Sequence, residues 1–313
     1  MGTVIVTSSL ERVLSEPDRF GAPYDALLPG IIGTDLELDG IEAAGSLVGI
    51  DAQIGDDSVW VQAVQPVDGL PVALPVVFEG RAPAAADEVA LAAVTLRDVG
   101  RSVGDTIVIP DSGGEPLEFE IVGVAPITDG YEHNVGLGAL VTAEGLARLD
   151  PIALTIQADI AVRVDPDRRA EVLAALTEAN PSAFVPFPVP ATLSNASRIT
   201  DLLVAFAIGG AAVAGATFVH ALLLATRQRR RDFAILRVLG LLRRQSYAVV
   251  TAMAGALAVS LAVLGGVVGL VAGGWGWQLV SDAFGVAPSA AYPILALLAV
   301  PTAAVVVVLV AAS

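Results

Sequence analysis

The sequence predicts two parts: an α+β domain over residues 1–199 and an all-α transmembrane domain over 200–313 with three spans. Three observations carry this. The 313-residue chain is 55% hydrophobic with a mean hydropathy of +0.72, more apolar than ordinary soluble proteins. Charge is sorted along it: residues 1–200 hold 10 arginines against 30 acidic residues, whereas 201–313 hold 7 arginines against 3. Such asymmetry places the two parts in different surroundings. Finally, residues 202–226 carry no formal charge over 25 positions. At about 1.5 Å per helical residue, that length crosses a hydrocarbon core of about 30 Å.

The opening residues MGTVIVTSSLERV lack the basic region and apolar core of a signal peptide. Short β-type runs follow at 59–65, 72–78, 105–110, 117–127 and 160–164, separated by turn clusters such as GDD (55–57) and DSGGEP (111–116). LEFEIVGV alternates apolar and polar side chains, which predicts a strand with one buried face. Helices are expected at 87–100, ending on Gly100, and at 142–149, capped by Thr142. A third is expected at 167–181, with Asp167 as cap and Pro181 as stop. The proline-rich stretch 179–197 reads as an extended exit from the domain.

Beyond it, spans are expected at about 202–226, 247–273 and 293–312, with Pro301 inside the third. Trp275 and Trp277 suit an aromatic belt at the membrane interface. RQRRRDFAILRVLGLLRRQ (227–245) holds seven of the 17 arginines between two uncharged runs. The positive-inside rule puts this loop in the cytoplasm and the acidic domain outside. Because the domain has no anchor on its N-terminal side and the last span ends without a polar flank, a preceding span and a C-terminal piece are expected to be missing. The bias toward Ala, Val and Arg points to a GC-rich bacterial genome, hence a multi-pass protein of a bacterial inner membrane.

Composition also excludes. Without cysteine there are no disulfides or thiolate metal sites. Every basic residue is arginine, so no Walker A lysine can reach a nucleotide's phosphates and no Schiff base can form. No Gly-x-Ser-x-Gly occurs, and two histidines leave little for hydrolysis. No catalytic, cofactor or metal residue is assigned. His220, late in the first span, reads as a hydrogen-bonded side chain. Asp129, Glu132 and His133 lack metal-site spacing and read as loop composition. Gly265, Gly269 and Gly273 lie four apart, which suits close helix packing, across a dimer or otherwise.

Within 232–244 (DFAILRVLGLLRR), Phe233, Leu236 and Gly240 recur at helical spacing, and Ile235, Val238 and Leu239 broaden that apolar face. An arginine-rich amphipathic helix can lie along anionic headgroups or in a partner's groove.

The segment 228–245 resembles the FtsX-like permease domain of ABC transporters. The family pattern, Arg-x-Arg-acidic, three apolar residues, then Leu-Arg-x-Leu-Gly, is met by Arg229, Arg231, Asp232, Phe233 to Leu236, Arg237, Leu239 and Gly240. Asp232 stands where Glu is commoner, and VVTAMAG (249–255) lacks a carboxylate often found early in the next span. The soluble part resembles the periplasmic core of MacB-like permeases. The stretches carrying that resemblance are VVFEGRAPAAADEVAL (76–91), VGDTIVI (103–109) and FEIVGVAPI (119–127).

The resemblance implies a permease subunit without enzymatic activity, moved by a separate cytoplasmic ABC ATPase that alone binds ATP and Mg. Residues 232–244 would be the coupling helix, with Arg231, Asp232, Phe233, Leu236, Arg237, Leu239, Gly240 and Arg243 against that partner. It also implies a second permease copy or homologue, membrane lipids, a possible extracytoplasmic protein partner and no nucleic acid. The expected output is export or extraction of a lipid, lipoprotein, peptide or drug. A mechanical regulator of cell-wall hydrolases, as FtsX itself is, and a membrane-anchored sensor without an ATPase are the two rival readings.

Overall fold

A computed structural model describes residues 1–29, 39–67, 69–128, 135–155, 158–185, 189–228, 243–299 and 302. The chain divides into a sheet unit, Arg12–Asn195 with Leu279–Pro288, and a helical unit, Met1–Glu11 with Ala196–Gln278 and Ser289–Ser313.

Among the described residues the sheet unit holds nine strands: β1 (Ala26–Leu28), β2 (Ile41–Ile54), β3 (Asp57–Pro66), β4 (Glu79–Gly80), β5 (Glu88–Leu91), β6 (Thr106–Pro110), β7 (Pro116–Val124), β8 (Ala139–Val141) and β9 (Asp159–Val164). Their order is β1-β9-β2-β3-β8-β5-β7-β4, with β6 also paired to β7. Most neighbours are antiparallel, but β3 with β8 and β5 with β7 run parallel, so the sheet is mixed. β2 and β3 form a long hairpin whose register runs from Gly45↔Pro66 to Ile54↔Asp57.

The alternation read in LEFEIVGV is realised in β7: Phe119 and Ile121 are fully buried, whereas Glu118 and Glu120 are exposed. Val59, Val61 and Ala63 of β3 pack with them, and Ile107, Ile109 and Leu146 complete that core. A second cluster sets Leu28, Ala44, Ile160 and Val162 under Val172 and Leu176 of helix α4 (Arg169–Ala179).

Helix α3 (Ala143–Leu149) has the expected cap, the Thr142 hydroxyl accepting from Gly145 N at 3.0 Å. The helix expected over 87–100 is instead strand β5 followed by the six-residue α2 (Ala93–Asp98). Val89, Ala90 and Leu91 sit between β7 and β8, where burial on both faces overrides the local helical pattern. Residues 72–77 form no strand, since prolines at 71 and 75 remove backbone donors. At α4, Asp165 caps a short 3-10 turn (Pro166–Arg168) that the expected Asp167 cap falls within. The proline-rich exit is shorter than expected, because a helix already begins at Ala191.

That helix, α5 (Ala191–Gln228), and α6 (Arg243–Phe284) are the long helices of the second part. Helix α1 (Gly2–Ser15), for which the sequence carried no expectation, contributes Met1–Glu11 to the helical unit. One helical stretch among the described residues, Ala262–Phe284, is long and apolar enough to cross a membrane, and Val204–Thr217 is a shorter apolar helix. Of the three expected spans, 293–312 lies mostly outside the described residues. Both long helices present exposed apolar side chains: Phe206, Ile208 and Val213 on α5, and Val263, Leu264, Val268 and Val271 on α6. Such surface is unfavourable in water and suits a lipid environment.

Candidate functional site

The expected coupling segment connects α5 to α6. Arg231, Asp232, Phe233, Leu236, Arg237, Leu239 and Gly240 lie outside the described residues, and Arg243 is the first residue of α6. The loop with Asp129, Glu132 and His133 also lies outside them, and His220 is exposed on α5. Among the described residues no group of three or more His, Asp or Glu could hold a metal ion.

The glycines of α6 are described, and they are not equivalent. Around Gly265 no described residue would meet an added β-carbon within 4 Å. A β-carbon on Gly269 would lie 2.8 Å from Met1 Cβ and 3.5 Å from Gly2 N. On Gly273 it would lie 2.8 Å from both Gly2 Cα and Ile5 Cδ1, and 3.0 Å from Gly2 O. Gly269 and Gly273 therefore form a seat for α1, and Gly2 is the matching small residue, its own β-carbon position 3.2 Å from Gly269 O. One turn on, the buried Ser9 hydroxyl accepts from Ala291 N at 2.8 Å. Thus α1, α6 and the segment after α6 meet in one helical cluster. The signal for this partner was available in MGTVIV, a small residue beside an apolar run, but spacing does not say which helix it faces. Trp275 is exposed, whereas Trp277 is fully buried. Its Nε1 has no hydrogen-bond partner among the described residues.

In the sheet unit, the Gly-Arg-x-Pro loop closes on the glutamate that follows it. Arg81 donates to both Glu88 oxygens, at 2.6 and 2.5 Å, and the backbone N–H groups of Ala84 and Ala85 donate to Oε2 at 2.8 and 3.2 Å. Four donors on one carboxylate, the Arg81 fork foremost and Ala84 N next, hold its pKa down at about 2. The motif is thereby explained as a staple that fixes the turn before β5, not as chemistry. Gly80 and Gly123 let the strands there approach closely, since a β-carbon on Gly80 would lie 2.2 Å from Val122 O.

Two of the grooves among the described residues open on this unit. One, of about 260 Å3, is lined mainly by apolar groups, including Val64, Leu74, Pro83, Leu140 and Ala143, with Glu144 at α3's first turn. The other, of about 300 Å3, runs past the ion pairs Arg163–Asp18 (3.5 Å) and Arg169–Asp25 (2.9 Å).

Residues 204–313 match the family model described as FtsX-like permease C-terminal. This part of the chain is similar to FtsX-like permeases. The matched stretch contains the arginine-rich segment and the glycine seat of α6. Among solved structures, the chain is similar to the periplasmic region of MacB from Actinobacillus actinomycetemcomitans. That likeness has 12% identity over 59% of this chain and 97% of that one, with a TM-score of 0.33. It is also similar to a permease-protein domain from Porphyromonas gingivalis, at 13% identity over 49% of this chain and 71% of that one, with a TM-score of 0.31. No curated protein sequence matches it.

Proposed function

We propose that the chain is the permease subunit of an ABC-type transporter of the MacB, LolC and FtsX kind. A separate cytoplasmic ATPase hydrolyses ATP with its own Mg ion. The segment 232–244 meets that ATPase, the long helices move, and the acidic sheet unit outside the bacterial inner membrane responds by exporting or extracting a lipid, lipoprotein, peptide or drug. A second permease copy or homologue completes the assembly. The observation that carries this reading is the match of residues 204–313 to the FtsX-like permease family.

Physical chemistry supports the division of labour. These residues hold no lysine and so no Walker A loop, which supports an energy source outside them. The arginines flanking the apolar run of 232–244 suit a helix resting at the cytoplasmic membrane face. The apolar side chains exposed on α5 and α6 suit surrounding lipid.

The test is co-purification of the full chain from its own membranes. Phe233→Asp with Leu236→Asp puts two carboxylates into the face expected to be desolvated by the ATPase. The amount of ATPase recovered should fall at least about tenfold, as for loss of central interface anchors. Unchanged recovery would refute the coupling role.

A further inference from the structure

The last turn of α6 and the residues after it, Leu279–Pro288, belong to the sheet unit. The reason lies in how the helix ends. Gly285 takes the left-handed conformation (φ 63°), and Val286 N donates to Ser281 O at 3.2 Å, the six-to-one bond of a Schellman cap. The next carbonyl in that turn is claimed from elsewhere: Arg97 Nη1, on α2, donates to Asp282 O at 2.9 Å. A guanidinium at a helix C-terminus also meets the negative end of its dipole.

Backbone meets backbone beside this bond. A β-carbon on Gly136 would lie 2.5 Å from Phe284 O, and one on Gly285 would lie 2.5 Å from Gly136 Cα. Gly136 is held in turn, its N–H donating to Ile127 O and its carbonyl accepting from Val94 N, each at 3.1 Å. Ala287 N donates to Arg19 O at 3.1 Å, and Val286 and Ala287 are buried. Three separate parts of the sheet unit therefore grip ten residues: the 3-10 turn Pro17–Phe20, α2 and the Gly136 loop.

We propose that Leu279–Pro288 is a latch through which movement of α6 is passed directly to the sheet, at α2 and Gly136. The inference rests on the transporter reading for the source of that movement. The contact itself is tight because both glycines lack a β-carbon where two backbones touch. It is directional because Arg97 holds a helix-end carbonyl, so a pull along α6 loads α2, which follows β5 after one residue.

The experiment has two arms on the full chain in detergent, purified with whatever ATPase accompanies it. The first exploits the absence of cysteine: a single Ala287→Cys should react with a maleimide at least about tenfold more slowly than Ala283→Cys, which is exposed in the same segment. Gly136→Ala or Gly285→Ala should erase that difference, and Arg97→Ala should reduce it. Equal labelling in the otherwise unaltered chain would overturn the latch.

The second arm follows hydrogen exchange of β5 and β7 with and without ATP and vanadate. A nucleotide-dependent change that is lost in Gly285→Ala, with the ATPase still bound, is the expected result. A change that persists with the segment released would overturn the latch and leave the transporter reading standing. Protected Ala287 with no nucleotide response in the unaltered chain would overturn transmission together with the transporter reading. Arg97→Ala folds most safely, since its side chain is about half exposed, and serves if the glycine variants do not fold.

Discussion

Three glycines of α6 share one spacing but should respond very differently to alanine. At Gly265 an added methyl meets no described residue within 4 Å. Alanine there gains helix propensity, up to about 1 kcal/mol in an exposed helix interior. At Gly273 the same methyl lies 2.8 Å from Gly2 Cα and Ile5 Cδ1. Ordinary carbon contacts need about 3.5–4.0 Å, so α1 must retreat by nearly an ångström. Overpacking of this size costs about 1–3 kcal/mol, more than the propensity gained. Gly269→Ala should fall between, because its methyl would have one close neighbour, Met1 Cβ at 2.8 Å, where that of Gly273 has three at 2.8–3.0 Å. Equilibrium unfolding of the full chain in detergent, followed by its three tryptophans, would rank the variants. The expected order of stability is Gly265→Ala highest and Gly273→Ala lowest, with Gly2→Ala milder than Gly273→Ala, since its methyl would stand 3.2 Å from its nearest neighbour, Gly269 O. If Gly265→Ala is as damaging as Gly273→Ala, the stripe packs on something other than α1 and the reasoning fails.

The other predictions concern the sheet unit and the partner. Glu88 titrates near 2 in the folded protein and near 4.5 when unfolded, so its contribution is complete above the unfolded value and fades as pH falls between the two. Acid unfolding should thus show a Glu88-dependent component between about pH 4.5 and 2, absent in Glu88→Gln. A Glu88→Gln curve parallel to that of the unaltered chain over this range would contradict it. Thr142→Ala removes the hydroxyl that caps α3 and should destabilise the sheet unit by about 1 kcal/mol in denaturant unfolding, whereas Thr142→Ser should be nearly silent. On the proposed transporter function, Phe233→Asp with Leu236→Asp should release a co-purifying ATPase without changing the unfolding of the sheet unit, measured in the same preparations.

How legible each element was follows from where its information lies. β7 could be read because alternation of side chains along one strand reports its own burial. Thr142 could be read because a cap is a contact between residues three apart. β5 could not, since DEVALAAVTLRD has good local helix character and only its neighbours β7 and β8 make it a strand. β2 was missed because its small residues, Ala43, Ala44, Gly45 and Gly49, blur the alternation. Gly49 is small because the Trp60 ring lies over it, 2.3 Å from where a β-carbon would stand. Of the candidate site residues, the glycines were legible as a packing stripe, but their partner α1 was not, because it is more than 250 residues away in sequence.

By itself the sequence determined what depends on composition and local order: an acidic part with short alternating strands, an apolar part with long uncharged runs, arginines gathered between two of those runs, and no lysine. Tertiary structure alone decided which surfaces meet. It gave Met1–Glu11 to the helical unit and Leu279–Pro288 to the sheet unit. It separated an idle Gly265 from a packed Gly273, and turned Arg97 from a surface charge into the cap of a helix 185 positions away. The physical reason is the same each time. Propensity and hydropathy are summed over neighbours in sequence, whereas close packing and capping depend on atoms that only the folded chain brings within contact distance.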